Sequence, residues 1–284
     1  MTDTESRDDR AARRRASDPP PAPQPLVVPV LDSHTHLDIV GGEPASAIAD
    51  AAAVGVTRLV QVGCDEPSSR WSAALADAEP AVVATVALHP NEAPRLSNLD
   101  ESLRVIEGLA GLPRVRGIGE TGLDTYRTGD DGRPAQEASF RAHIAMAKRF
   151  GKALVIHDRD AHADILRVLE EEGAPDVVVM HCFSGDGAFA TECVRRGFVL
   201  SFAGTVTFKN ASGLRDAARV TPLDQMLVET DAPYLTPMPH RGRPNAPYLI
   251  PLTVRGIAEA VDRDIDEVCA GISATGERVF GPWH

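Results

Sequence analysis

From Leu26 to Val228 the chain alternates, eight times, a short apolar run rich in β-branched residues with a longer stretch of helical character. The runs are Leu26–Leu31, Leu59–Gly63, Val82–Leu88, Val115–Gly119, Ala153–Ile156, Val177–Met180, Phe198–Ala203 and Met226–Val228. Near-continuous Val, Ile and Leu suits parallel strands covered on both faces. Helices are expected between them, for example over Ala45–Val54, Ser68–Ala78, Ala135–Phe150, Asp160–Glu172 and Gly187–Arg196. Gly55, Gly151, Gly173 and Gly197 stand where such helices should stop. Two further helical stretches, Tyr248–Val261 and Ile265–Val279, follow a Pro-rich loop. Eight strand–helix alternations over about 255 residues predict an α/β protein, a (β/α)8 TIM-type barrel with extra C-terminal helices. A doubly wound sheet is the competing architecture, but the first run leads into Asp32-Ser33-His34-Thr35-His36, not into a glycine-rich phosphate loop.

Composition narrows the function classes. No apolar run approaches the roughly 18 residues that span a bilayer, so no membrane contact is expected. A formal charge of −12 argues against coating nucleic acid by bulk charge, but leaves room for a local phosphate site built around cations. Cys64, Cys182, Cys193 and Cys269 are scattered without a CxxC pair, which predicts free thiols in a reducing, cytoplasmic compartment. Residues 1–25 combine Arg13-Arg14-Arg15 with a proline cluster and almost no large apolar side chains. They are expected to form a disordered leader ahead of a single barrel domain over residues 26–284. No apolar stretch follows the arginines, so the leader does not read as a signal peptide.

The polar residues fall at the strand ends. The first run leads into His34 and His36, the third into His89, the fourth into Glu120, the fifth into His157, the sixth into His181 and the eighth into Glu229-Thr230-Asp231. In a barrel those ends converge on one mouth, where active sites lie. Residues at i and i+2 of a strand share a face, so His34 pairs with His36 and Glu229 with Asp231. One such histidine would be weak evidence; the set points to metal. Imidazole with carboxylate suits Zn²⁺, Mn²⁺, Fe²⁺ or Ni²⁺, and Mg²⁺ less well. Four histidines and two carboxylates exceed one tetrahedral shell, and two ions sharing a carboxylate, most naturally Glu120, account for the surplus. Strand alternation should turn Cys182 away from the face that His181 uses. His143 and His162 lie inside helical stretches and read as surface or packing residues.

At these positions the sequence resembles the TatD-related deoxyribonucleases of the metal-dependent hydrolase (amidohydrolase) superfamily. The resemblance runs from about Leu31 to Gly281. It rests on Asp32-Ser33-His34-Thr35-His36-Leu37-Asp38, Gly119-Glu120-Thr121-Gly122-Leu123-Asp124, Ile156-His157-Asp158-Arg159-Asp160-Ala161 and His181-Cys182-Phe183-Ser184-Gly185. Glu229-Thr230-Asp231-Ala232-Pro233-Tyr234 and Pro239-His240-Arg241-Gly242-Arg243 complete it. The chain departs from the family at Asn91, where many members have His, at Thr125-Tyr126, where two aromatics are common, and at Ala246, where Glu is frequent.

The resemblance implies two divalent ions per subunit, Mg²⁺, Mn²⁺ or Zn²⁺. His34, His36 and Asp231 would hold one, His157 and His181 would complete the other, and Glu120 would bridge. Asp231 would also orient or deprotonate the attacking water, making Asp231 and Glu120 the expected catalytic pair. His89, Arg159, Glu229, Arg241 and Arg243 are the expected substrate contacts, and Tyr126 or Tyr234 offers a ring for an unstacked base. The implied activity is phosphodiester hydrolysis, as a 3′–5′ exonuclease on single-stranded DNA or RNA, by a monomer or weak oligomer. The alternative keeps the metals and changes the bond, to a small-molecule amide, ester or phosphoester. Several related barrels bridge their metals with a carboxylated lysine, and Glu120 at that place favours the nuclease branch. A purely structural metal site would be closed by four protein ligands, unlike an open barrel mouth.

Overall fold

The computed structural model describes residues 18–283. Eight parallel strands form one sheet in sequential order: β1 Val30–Thr35, β2 Val56–Val62, β3 Val82–Val86, β4 Val115–Asp124, β5 Ala153–Arg159, β6 Val178–Met180, β7 Val199–Phe202 and β8 Met226–Val228. The ring closes just past β8. There Asp231 N–H donates to His34 O at 2.9 Å and His36 N–H to Ala232 O at 3.0 Å, with a parallel bridge between Thr35 and Ala232. The architecture is the expected TIM-type barrel.

The outer layer consists of α1 Pro44–Ala53, α2 Glu66–Ala78, α3 Leu99–Ala110, α4 Arg133–Phe150, α5 His162–Glu172, α6 Gly187–Arg195 and α7 Ser212–Val220. The extra helices are α8 Ile250–Val261 and α9 Ile265–Phe280. Local chemistry sets their ends. Asp65 caps α2 by accepting from Ser68 N–H, Asn98 caps α3 and Asp186 caps α6, each meeting amide donors that have no partner within the helix. α4 stops at Gly151 in the left-handed region. The strands are buried on both faces, and their side chains with the inward helix faces make one continuous core.

The expected strand limits shift where it matters. β1 begins at Val30, not Leu26, and runs through Thr35; β4 runs to Asp124 and β5 to Arg159. Pro25 and Pro29 lack the amide a ladder needs. Polar residues at the barrel end remain in strand because they point into the mouth.

Of the expected leader, residues 1–17 lie outside the described residues. Residues 18–25 are held on the barrel. The Arg243 guanidinium donates to Asp18 O and Pro19 O, Tyr248 Oη–H to Pro20 O at 2.6 Å, and Arg255 to Gln24 O at 2.9 Å. A proline-rich segment is already extended and leaves its carbonyls unpaired, so three long donors suffice to hold it. Among the described residues no helix is long and apolar enough to cross a membrane.

Candidate metal centre

Glu120, in the last half of β4, sits at the middle of the mouth and is buried. Its two oxygens face two separate groups. Oε2 lies 3.5 Å from His34 Nε2 and 4.0 Å from His36 Nε2. Those two nitrogens are 3.2 Å apart, and Asp231 Oδ1 stands 3.9 and 3.5 Å from them. Oε1 lies 2.6 Å from His157 Nδ1, 3.1 Å from His181 Nε2 and 3.4 Å from His89 Nε2. Donor atoms around one tetrahedral zinc stand about 3.3 Å apart, and three overlapping sets approach that spread: His34 with His36 and Glu120, His89 with Glu120 and His157, and His34 with His181 and Asp231. The mixed imidazole and carboxylate donors suit a divalent transition ion, and the residues present therefore fit a divalent-metal centre.

The electrostatics are those of a cation site. Burial alone would raise the Glu120 carboxyl, but the His181 and His89 charges and the hydrogen bonds from His157 and His181 hold it well below the carboxylate range. Asp231 is likewise lowered, its burial outweighed by His36, His181 and His34. Burial works against a charged His181, yet Glu229 and Glu120 push it well above the ordinary value. His157, opposed by burial, rises to about 9 through Asp124 and Glu120. His34 goes the other way, lowered by burial and then by His181, whose ring stacks on it at 3.7 Å.

Behind the donors stand residues that position them. Glu229 is fully buried, with Oε1 2.9 Å from His181 Nδ1. The two atoms are not aligned for a hydrogen bond, so the contact acts as an ion pair. Asp124 Oδ2 accepts from Asn91 at 2.8 Å and lies 3.3 Å from His157 Nε2, while its Oδ1 accepts from the Tyr126 and Arg127 amides. Asp32 accepts from the His34 amide and from the Thr230 amide and hydroxyl, linking β1 to the end of β8. Burial lifts its carboxyl to about 8 despite those bonds. Gly122 is obligatory between Glu120 and Asp124. Its φ is +139°, and a Cβ there would meet His157 O at 2.1 Å.

The structure gathers all six expected ligands: His34, His36, Glu120, His157, His181 and Asp231. Of the expected substrate contacts, His89 joins the ligand group on Oε1 and Glu229 lies beneath His181. Arg159 lines the mouth. Arg241 stacks on Phe208, 4.4 Å from the ring centre, outside the cavity lining. Arg243 is engaged with residues 18 and 19 and is not brought to the mouth. Cys182 does line the cavity, because its φ of 43° interrupts the alternation after β6, but it belongs to neither ligand group. Cys64 went unread as a site residue. Its Sγ is 3.6 Å from Glu120 Oε2, and its place directly after β2 was the available signal. His143 is a packing residue, fully buried in α4.

The profile of the family described as TatD related DNase matches residues 31–281. The chain belongs to that family. It is 47% identical over 260 residues to the uncharacterized metal-dependent hydrolase TatD of Mycobacterium tuberculosis, covering 89% of this chain and 98% of that one. It is 35% identical to the uncharacterized metal-dependent hydrolase YabD of Bacillus subtilis, covering 88% and 98%. Among solved structures it superposes on YjjV, a TatD homolog from Escherichia coli K12, with a TM-score of 0.82, 26% identity and coverage of 90% and 100%. Family and geometry together make it a metal-dependent hydrolase of the TatD type.

Proposed function

We propose that the protein hydrolyses phosphodiester bonds in single-stranded nucleic acid, removing nucleotides from the 3′ end. The observation that carries this reading is Glu120, whose two oxygens serve two ligand groups at an open mouth. When bound, a pair of divalent ions lowers the pKa of an attacking water and neutralises charge building on the phosphate. His34, His36 and Asp231 would hold one ion, and His157 and His181, with His89, the other. Asp231 is suited to take the proton from the attacking water. Its side chain is 16% exposed against 6% for Glu120, and its lowered pKa keeps it ionised and ready to accept. Glu229 holds His181 in place.

A polymeric anion fits the surroundings. The mouth is a cavity of about 1150 Å³, larger than the usual 300–1,000 Å³ of a small-molecule pocket. Of its rim carboxylates, Asp38 is engaged with Gln61, Asp65 with the start of α2, Glu92 with Arg95 and Asp158 with His162, while Asp131 stands unpaired among the described residues. Among the described residues, Arg127 and Arg159 line the same mouth with no carboxylate within 4.0 Å and no acceptor for their guanidinium groups. Unpaired arginines at a wet rim suit phosphate oxygens.

The test is hydrolysis of a 5′-labelled single-stranded oligonucleotide by wild type and Glu120→Ala, each with Mg²⁺, Mn²⁺, Zn²⁺ or chelator. A descending ladder, lost with chelator and in the variant, supports a metal-dependent 3′ exonuclease. An intact oligonucleotide with folded, metal-loaded protein refutes it and favours a small amide or ester.

A further inference from the structure

The loop after β4 carries a feature that the metal centre does not use. Tyr126 is 67% exposed, one of six large apolar side chains left open among the described residues. Two of them, Ile39 and Tyr234, line the mouth; Tyr126 lies outside its lining but packs against Arg159, which is part of it. One face of the Tyr126 ring is covered by the Arg159 guanidinium, 4.1 Å from the ring centre. The other face has no aromatic partner. Arg159 keeps its N–H edge free and lines the cavity.

This pair is rigidly built. β4 and β5 remain in register as far as Asp124 and Arg159. Past that point Thr125 N–H donates to Arg159 O at 3.1 Å, and Thr125 Oγ1 to Asp160 O at 2.8 Å. The Tyr126 and Arg127 amides are both held by Asp124 Oδ1, at 3.0 and 2.8 Å. The other oxygen of the same carboxylate faces His157 of the metal centre. One aspartate therefore holds the backbone of Tyr126 and the His157 ring to the same carboxylate. An aromatic that merely packed would be covered; this one is presented to solvent on a braced loop.

We infer that Tyr126, backed by Arg159, is a stacking platform for one unpaired base near the scissile bond, with the Arg159 N–H edge gripping an adjacent phosphate. The assignment rests on the phosphodiesterase reading above and adds to it a specificity-determining residue. Every base offers a π-face to such a ring, so the platform is tolerant of sequence. A base in a duplex is already stacked and paired, so the platform selects single strands. The pre-covered face holds the ring in one place, so little rotamer freedom is lost when a base arrives.

The test uses 5′-labelled oligonucleotides in which one of the three 3′-most nucleotides carries a tetrahydrofuran in place of its base. For wild type, kcat/KM falls about tenfold at one of those positions, expressed in KM, as loss of one stacked base requires. Tyr126→Ala loses the same factor on the complete oligonucleotide and nothing further on the baseless one. Tyr126→Phe behaves as wild type. Arg159→Gln makes the plot of log kcat/KM against log salt shallower by about 0.7, the share of one phosphate on a single strand. A folded Tyr126→Ala that keeps the wild-type ratio between complete and baseless substrates overturns the platform while leaving the nuclease reading intact. Metal-loaded wild type that cleaves no oligonucleotide overturns both.

Discussion

His143 offers a quantitative test of how α4 braces the mouth. Its ring is fully buried. Nδ1–H donates to Ser139 O at 2.7 Å, and Nε2 accepts from Leu88 N–H at 3.2 Å, next to His89. Both nitrogens are satisfied only in the neutral ring, since a proton on Nε2 would face the Leu88 donor. Burial accordingly lowers its pKa to about 4, against 6.5 for an unperturbed histidine. The unfolded chain therefore takes up the proton first. Stability is full above pH 6.5, falls as pH drops through that value, and levels off below 4. A shift of about 2.5 units corresponds to about 3.4 kcal/mol at the low-pH limit, and to about 2 kcal/mol between pH 7.5 and pH 5. The assay is urea unfolding of wild type and His143→Gln at both pH values, with chelator throughout so that ion binding does not contribute. Other groups titrate alike in the two proteins. The pH-dependent loss should be about 2 kcal/mol larger for wild type, whatever the absolute cost of the substitution. Equal losses would show that His143 is not held neutral, and the bracing argument would fail with it.

Three further outcomes are expected. Gly122→Ala places a Cβ against His157 O at a φ disfavoured for alanine and should destabilise by at least about 2 kcal/mol, read as a drop of about 4–8 °C in the melting midpoint. Glu229→Gln removes the charge behind His181 and should weaken one ion of the pair roughly 10–100-fold, visible by competition with a chromogenic chelator, while the other ion titrates as before. The Glu137 carboxyl, lowered to about 2 by hydrogen bonds from Arg167 and Arg141, contributes above its ordinary 4.5 and loses that contribution as pH falls toward 2. Because this network lies on the surface, Glu137→Gln should change stability by under about 1 kcal/mol, and by still less at high salt; a larger effect by chemical denaturation would contradict the screening argument.

The metal ligands were legible because barrel topology turns a sequence fact, a ligand-type residue at the end of an apolar run, into a spatial one. His34, Glu120, His157 and Asp231 need no local motif once their strands share a mouth. What resisted reading was whatever depended on depth or on a partner far along the chain. Cys64 has the right position but a residue type that more often packs. Asp124 and Asp32 acquire their roles only from His157 and Thr230, and Arg243 loses its expected one to the carbonyls of Asp18 and Pro19. Helix α3 is legible in Asn98, Leu99, Leu103 and Ile106, which carry a cap and a helical period. Helix α7, Ser212–Val220, is short and lacks a side-chain cap. β1, β4 and β5 run past the ends of their apolar stretches, because inside a barrel mouth a polar side chain can remain in register.

The seam between β8 and β1 has a consequence for the chain as a polymer. His34 and His36 come from the first strand and Asp231 from just past the last, so this ligand group exists only once the ring has closed on itself. An ion held there ties the two ends of the barrel across nearly the whole intervening loop, much as a cross-link between distant residues does. It would bind the closed ring and not the open chain, stabilising the former by mass action. The ions proposed for the chemistry would then also be the fastening of the barrel, placed at the joint its hydrogen-bond ladder covers least.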